Sequence, residues 1–148
     1  MLPLAEKLPD SAAGGLMFPH LQRTINDALG RAGIADAWQL DLIETHDCFT
    51  VSEYLALEHF GLTAPGKAWQ VIEDGSIELG GRLPVNPSGG LIGAGHPVGA
   101  TGVRMLLDAW RQVEQQAGDY QVEGAQRAGC LNIGGSFSAV ASFVVGYH

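Results

Sequence analysis

Residues 86–102 read NPSGGLIGAGHPVGATG, and the rest of the chain is organised around them. Six of these seventeen residues are glycine, and a single histidine, His96, stands between Gly95 and Pro97. Glycine is costly in backbone entropy, so this density marks a chain that must turn sharply or approach something closely. The run that follows, with Val98, Met105, Leu106, Ala109 and Trp110 as its apolar stripe, predicts a helix over roughly 98–116. His96 is the only ionisable residue between Arg82 and Arg104. An imidazole can take or give a proton near neutrality, which makes this loop a candidate piece of an active site. The plainer alternative is a ring that only hydrogen-bonds its own loop.

Upstream, Phe18–Pro19 predicts the start of a first helix, because proline is tolerated in the first turn. Leu21, Ile25, Ala28 and Leu29 form its stripe and Gly33 its stop. Residues 40–45 (LDLIET) alternate as a strand that ends at His46. A helix follows almost at once, with Thr50 and Glu53 at capping-box spacing. The stretch THDCF (45–49) therefore sits at a strand-to-helix junction, where open α/β sheets place ligands. A short helix is expected within 67–73. Downstream, 126–133 and 137–147 read as two strands paired antiparallel through the glycine turn of NIGG (132–135). Three strands make a thin sheet for 148 residues, as if part of the fold lay elsewhere.

Composition narrows the class. An apolar fraction of 46% is enough for a real core in one domain, with residues 1–17 as an irregular lead-in and 18–148 as the domain. Eight basic against sixteen acidic residues argue against a nucleic-acid or anionic-membrane partner held by charge. Cys48 and Cys130 are too few for a disulfide framework, and no stretch has the length of a membrane span. The expectation is a cytoplasmic protein. Asn132 could donate or accept beside a developing oxyanion, or only pair with backbone. Cys130, flanked by Leu131, reads as structure. His46 and Cys48 are too close in sequence to share one ion easily, so no metal site is expected. The glycine loop lacks the Lys-Ser/Thr ending of a P-loop.

Taken together, THDCF, GHPVGATG (95–102) and NIGG resemble the C-terminal half of a thiolase, and more narrowly the sterol-carrier-protein-2 type with its lipid-transfer and steroid-aldolase relatives. The resemblance runs from LAEKLP (4–9) to the final strand. It implies an α/β chain that is one half of a five-layered αβαβα fold, a mixed sheet with helices packed against it. The nucleophilic cysteine would belong to the N-terminal half, in cis or in a separate chain.

It further implies His96 as the base that activates this nucleophile, and His46 as the residue that orients an oxyanion-hole water. Cys48 would be the acid/base thiol, while Asn132 and Gly134 line an oxyanion hole. Coenzyme A enters as the carrier of the acyl substrate, with no metal or tightly bound cofactor. The reaction implied is Claisen or retro-Claisen acyl transfer. Alternatives are retro-aldol cleavage of a side-chain acyl-CoA with a small partner protein, or a lipid-binding scaffold. In such relatives Gln-His-Asn often precedes the last turn, whereas here it is Cys130-Leu131-Asn132. An incomplete half would expose a face and self-associate, and the chain alone is expected to be inactive.

Overall fold

The computed structural model describes residues 15–147, so most of the expected irregular lead-in lies outside the described residues. Helix α1 (Pro19–Arg31) opens with proline at its first position and buries Leu21, Ile25 and Leu29, four apart on one face. Each such side chain contributes about 1.5–3 kcal/mol of burial. Gly33 closes the helix at φ +69°, donating to Gly30 O, while Ile34 N–H donates to Leu29 O. This Schellman cap is the stop that the glycine predicts.

Strand β1 (Leu42–Thr45) is buried at all four positions, not half-buried as its alternation predicts. The reason is that both of its faces are packed and both of its edges have neighbours. It pairs parallel with β2 (Arg127–Gly134), Leu42 opposite Ala128 and Thr45 opposite Leu131, and Ile43 bridges Val85 on its other side. Strand β3 (Ala139–Gly146) runs antiparallel to β2, giving the order β1-β2-β3. The expected hairpin through the glycine turn is present.

Successive strand residues face opposite layers. Ile43, Leu131 and Ile133 pack with α1 and with α2 (Thr50–His59), whereas Leu42, Ala128 and Cys130 pack with α5 (Thr101–Val113). Helices thus cover both faces of a mixed sheet, an α/β architecture. Among the described residues no helix is long and apolar enough to cross a membrane.

Three local expectations are corrected. Thr50 is the first helical residue of α2, not its cap; Phe49 holds the N-cap position without a side-chain bond, and Glu53 accepts from Asn86 instead. Helix α3 (Trp69–Glu73) falls where expected, but residues 86–102 also hold the five-residue α4 (Gly90–Ala94). Helix α5 starts at Thr101 rather than near Val98, which is 82% exposed and lies outside the buried stripe. That stripe is Met105, Ala109 and Val113, and Trp110 stays largely exposed. Helix α5 also ends earlier than 116, because Gln115 turns left-handed at φ +57° and Gln116 N–H caps Arg111 O.

Candidate active site

The site forms where the parallel strands β1 and β2 end. Because Thr45 sits opposite Leu131, the next residue on each strand, His46 and Asn132, are brought side by side. His46 is 6% exposed, and its Nδ1 lies 2.7 Å from Asn132 Oδ1. An amide oxygen only accepts, so the ring donates from Nδ1 and keeps a lone pair on Nε2. Burial lowers the proton affinity of His46 and the nearby His96 adds to that, against the bond to Asn132. His46 is therefore held neutral. The amide nitrogen of Asn132 lies 2.7 Å from the place a Cβ would take on Gly102, so only glycine lets α5 come this close.

His96 projects from the glycine loop so that its ring centre is 5.1 Å from that of His46, the planes at 89°. Its Nδ1 is 2.7 Å from Thr101 Oγ1, and that hydroxyl donates its one hydrogen to Pro97 O at 3.1 Å. The hydroxyl must then accept from the ring, so His96 carries its proton on Nδ1 and its lone pair on Nε2. Unlike His46, it is exposed on the surface of this chain. Two imidazoles in contact thus both keep Nδ1 in a bond, and among the described residues neither Nε2 has a partner.

Cys48 stands just before α2, half-buried, its thiol sharing a hydrogen bond with Ser52 Oγ at 3.4 Å. The structure brings His46, His96 and Asn132 into contact; Cys48 lies two residues from His46 without a hydrogen bond to either ring. Gly134 closes β2 on the same strand face as Asn132 and is exposed. Cys130 is the structural thiol expected: it is 2% exposed, and burial pushes its pKa far up. Among the described residues no three His, Cys, Asp or Glu side chains are grouped to hold a metal ion.

The glycine loop is stitched to the end of β1 by residues that the sequence reading left out. Thr45 N–H donates to Asn86 Oδ1 at 2.7 Å, and Ser88 donates to Glu44 through both its N–H (3.2 Å) and its hydroxyl (2.7 Å). Leu91 N–H donates to Asp47 Oδ1 at 2.6 Å, and Arg104 donates to Gly90 O at 3.1 Å. Asp47 thus acts as a structural carboxylate that holds the start of α4. Thr101 was legible in principle as the first hydroxyl after His96 at helical reach. Glu44 was not, because nothing in LDLIET marks which acid points inward.

Glu44 is fully buried, and burial pushes its carboxyl up to about 7, against the two bonds from Ser88. Asp108 pushes it further up and Arg104 pulls it down. Because the folded pKa is the higher one, the folded chain holds more protons than the unfolded chain between about 4.5 and 7. Glu44's contribution to stability is then complete below about 4.5 and is lost as pH rises through 7. The variant E44Q should match the natural chain in urea stability at pH 4.5 and exceed it at pH 8 by about 1–3 kcal/mol. An equal difference at both pH values would refute this.

Beside the site, a groove of about 310 Å³ is lined by Val98, Gly102, Val103, Met105, Asn132 and Phe143. Val98 and Val103 are 82% and 72% exposed, and residues 92–100 are exposed throughout.

A family model described as thiolase C-terminal domain-like matches residues 9–147. The acetyl-CoA acetyltransferase of Methanothermobacter thermautotrophicus is 43% identical over 102 residues, which cover 69% of this chain and 27% of that protein. Sterol carrier protein 2 of Gallus gallus is 42% identical over 109 residues, covering 73% of this chain and 20% of that protein. The chain thus spans about a quarter or less of the relatives it matches. Among solved structures, an Ltp2-ChsH2(DUF35) aldolase superposes with a TM-score of 0.77 over 87% of this chain and 32% of that one. At 24% identity this shows likeness of fold.

Proposed function

Since this chain belongs to the thiolase C-terminal domain-like family, we propose that it is the C-terminal catalytic half of an acyl-CoA C-acyltransferase. The reaction makes or breaks a carbon–carbon bond next to a thioester. The observation that carries this reading is the contact between two histidines whose Nε2 atoms have no partner among the described residues, at the end of a strand that also leads to a half-buried thiol.

In the cleavage direction, Nε2 of His96 takes the proton of a cysteine supplied by the N-terminal thiolase half. That thiolate attacks the β-keto carbon of the acyl-CoA. The bond to the α-carbon breaks, and its electron pair moves onto the thioester as an enolate. The Cys48 thiol gives its proton to that carbon, and acetyl-CoA leaves. Free coenzyme A then gives its thiol proton to the Cys48 thiolate and takes the acyl group from the N-half cysteine, which recovers its proton from His96. Negative charge gathers on the keto oxygen during attack, where one well-placed donor contributes about 2.7–4 kcal/mol, and then on the thioester oxygen of the enolate. Protonated His96 offers its Nε2–H there. His46 Nε2 accepts from a water whose other hydrogen faces the same oxygen, and the Gly134 amide serves the oxygen of the acyl intermediate. Asn132 keeps His46 turned for this.

Coenzyme A is the substrate carrier, and the N-terminal half, in cis or as a second polypeptide, is the required partner. The exposed apolar rim around Val98 and Val103 fits such a partner, and the assembly is read as a cytoplasmic homo-oligomer. The chain alone is read as inactive. Retro-aldol cleavage of a side-chain acyl-CoA is the second reading. It is favoured by Leu131, fully buried and apolar in the place where Gln-His-Asn would put a histidine.

The test is C48A in the complete enzyme, assayed with acetoacetyl-CoA and free coenzyme A. Thiolysis should fall about 10²–10⁴-fold, and proton exchange at the α-carbon of acetyl-CoA should fall with it, while acylation of the N-half cysteine persists. Retained thiolysis would sink the role of Cys48. Aldehyde or ketone release from a β-hydroxyacyl-CoA would select the second reading.

A further inference from the structure

The hairpin that follows Gly134 breaks a local rule. Strands β2 and β3 close on the pair Gly134–Ala139, and Ser138 N–H donates to Gly135 O at 3.1 Å. Gly135, Ser136 and Phe137 run left-handed in succession through this four-residue turn, at φ +54°, +54° and +65°. Positive φ in a hairpin turn favours glycine, asparagine or aspartate. A bulky aromatic residue in that region is a true outlier. Such strain persists only where surrounding contacts over-determine it.

Those contacts are present. The Phe137 ring stacks on Phe18, centres 4.4 Å apart and planes at 4°, and His20 Nε2 donates to Phe137 O at 2.6 Å. Phe18 is tied in turn, its N–H donating to Nε2 of buried His59 at 3.1 Å, while His59 Nδ1 donates to Leu55 O at 2.6 Å. One continuous set of contacts therefore joins the hairpin tip to the start of α1 and the end of α2. The other end of α2 follows Cys48. None of these residues touches the histidine pair, and a turn that needed only to reverse the chain would be better served by glycine at 137.

We infer that Phe137 is a positioning residue: clamped between Phe18 and His20, it fixes the direction in which the amide of Gly134 points. This rests on the reading of Gly134 as an oxyanion donor. A donor must be aimed at the place where charge develops, and an amide on a free hairpin tip loses that aim.

The test compares F137G and F137Y in the complete enzyme with acetoacetyl-CoA. Glycine suits the turn, so F137G should keep its unfolding temperature while kcat falls about tenfold or more with KM changed less than about threefold. F137Y keeps the ring and should stay within about twofold of the natural enzyme. F18L removes the stacking partner and leaves the turn untouched, so it decides the matter if F137G fails to fold; the same loss in kcat is expected. Unchanged kcat in F137G, or in F18L where F137G does not fold, overturns the inference while H96Q remains inactive. Activity in H96Q would instead overturn the site reading beneath it.

Discussion

Replacing His96 with glutamine in the complete enzyme is expected to lower kcat by about 10³, with little change in KM for the acyl-CoA. Glutamine is close in size and can still donate to Thr101 Oγ1, so the loop should keep its shape. What it lacks is a nitrogen that can take a proton and give it back. A loss confined to kcat would mark an interaction that matters in the transition state and not in binding.

Thr101 supplies an internal control. Its hydroxyl holds the proton of His96 on Nδ1, so T101V should lower kcat by about 10–100-fold, and T101S, which keeps the hydroxyl, should restore most of it. A purely packing role for Thr101 predicts the reverse order, because valine is the closer match in shape. H96Q within tenfold of the natural rate, measured by single-turnover acylation, would remove His96 from the mechanism.

The second large effect is on the backbone. Gly90→Ala should destabilise the fold by about 3–5 kcal/mol and abolish measurable activity. Gly90 has φ +61°, a region that costs an L-residue about 1–2 kcal/mol. An added Cβ would also fall 2.6 Å from Asp47 Oδ1 and 2.7 Å from its Cγ, and nearer still to Oδ2. Asp47 is 5% exposed and accepts from Leu91 N–H, so it can neither swing into solvent nor yield without losing a charged hydrogen bond, itself about 1.5–3 kcal/mol. Gly93, three residues on, has open space at its Cβ position, and G93A should change stability by no more than about 0.5 kcal/mol. Urea unfolding of the two variants side by side is the measurement. Equal stability of both would contradict this account of the loop.

Much of the fold was readable where the signal was local. Pro19 and Gly33 bracket α1 because each acts through its own backbone angle. The hairpin and the strand before His46 follow from patterning over a few residues. The misplacements came where a distant partner decides: Glu53 answers to Asn86 and not to Thr50, and Val98 lies in a turn that Pro97 begins. Of the site, the three motifs pointed to His46, His96 and Asn132, which do meet. The supporting residues Glu44 and Ser88 stayed hidden, since inward direction is set by strand register and loop closure, neither of which a single strand's sequence states. The aromatic clamp on Phe137 was invisible for the same reason, joining residues more than a hundred positions apart.

The stitching of residues 86–91 to the end of β1 has a consequence for engineering and for descent. Three attachments, Glu44 with Ser88, Thr45 with Asn86 and Asp47 with Leu91, cross between two stretches some forty positions apart. A glycine loop grafted in from a homologue without its matching strand end would arrive with orphaned amides and an empty place for the carboxylate. The two stretches are one unit of inheritance written in two places, and a chimera that respects the folded unit must carry both or neither.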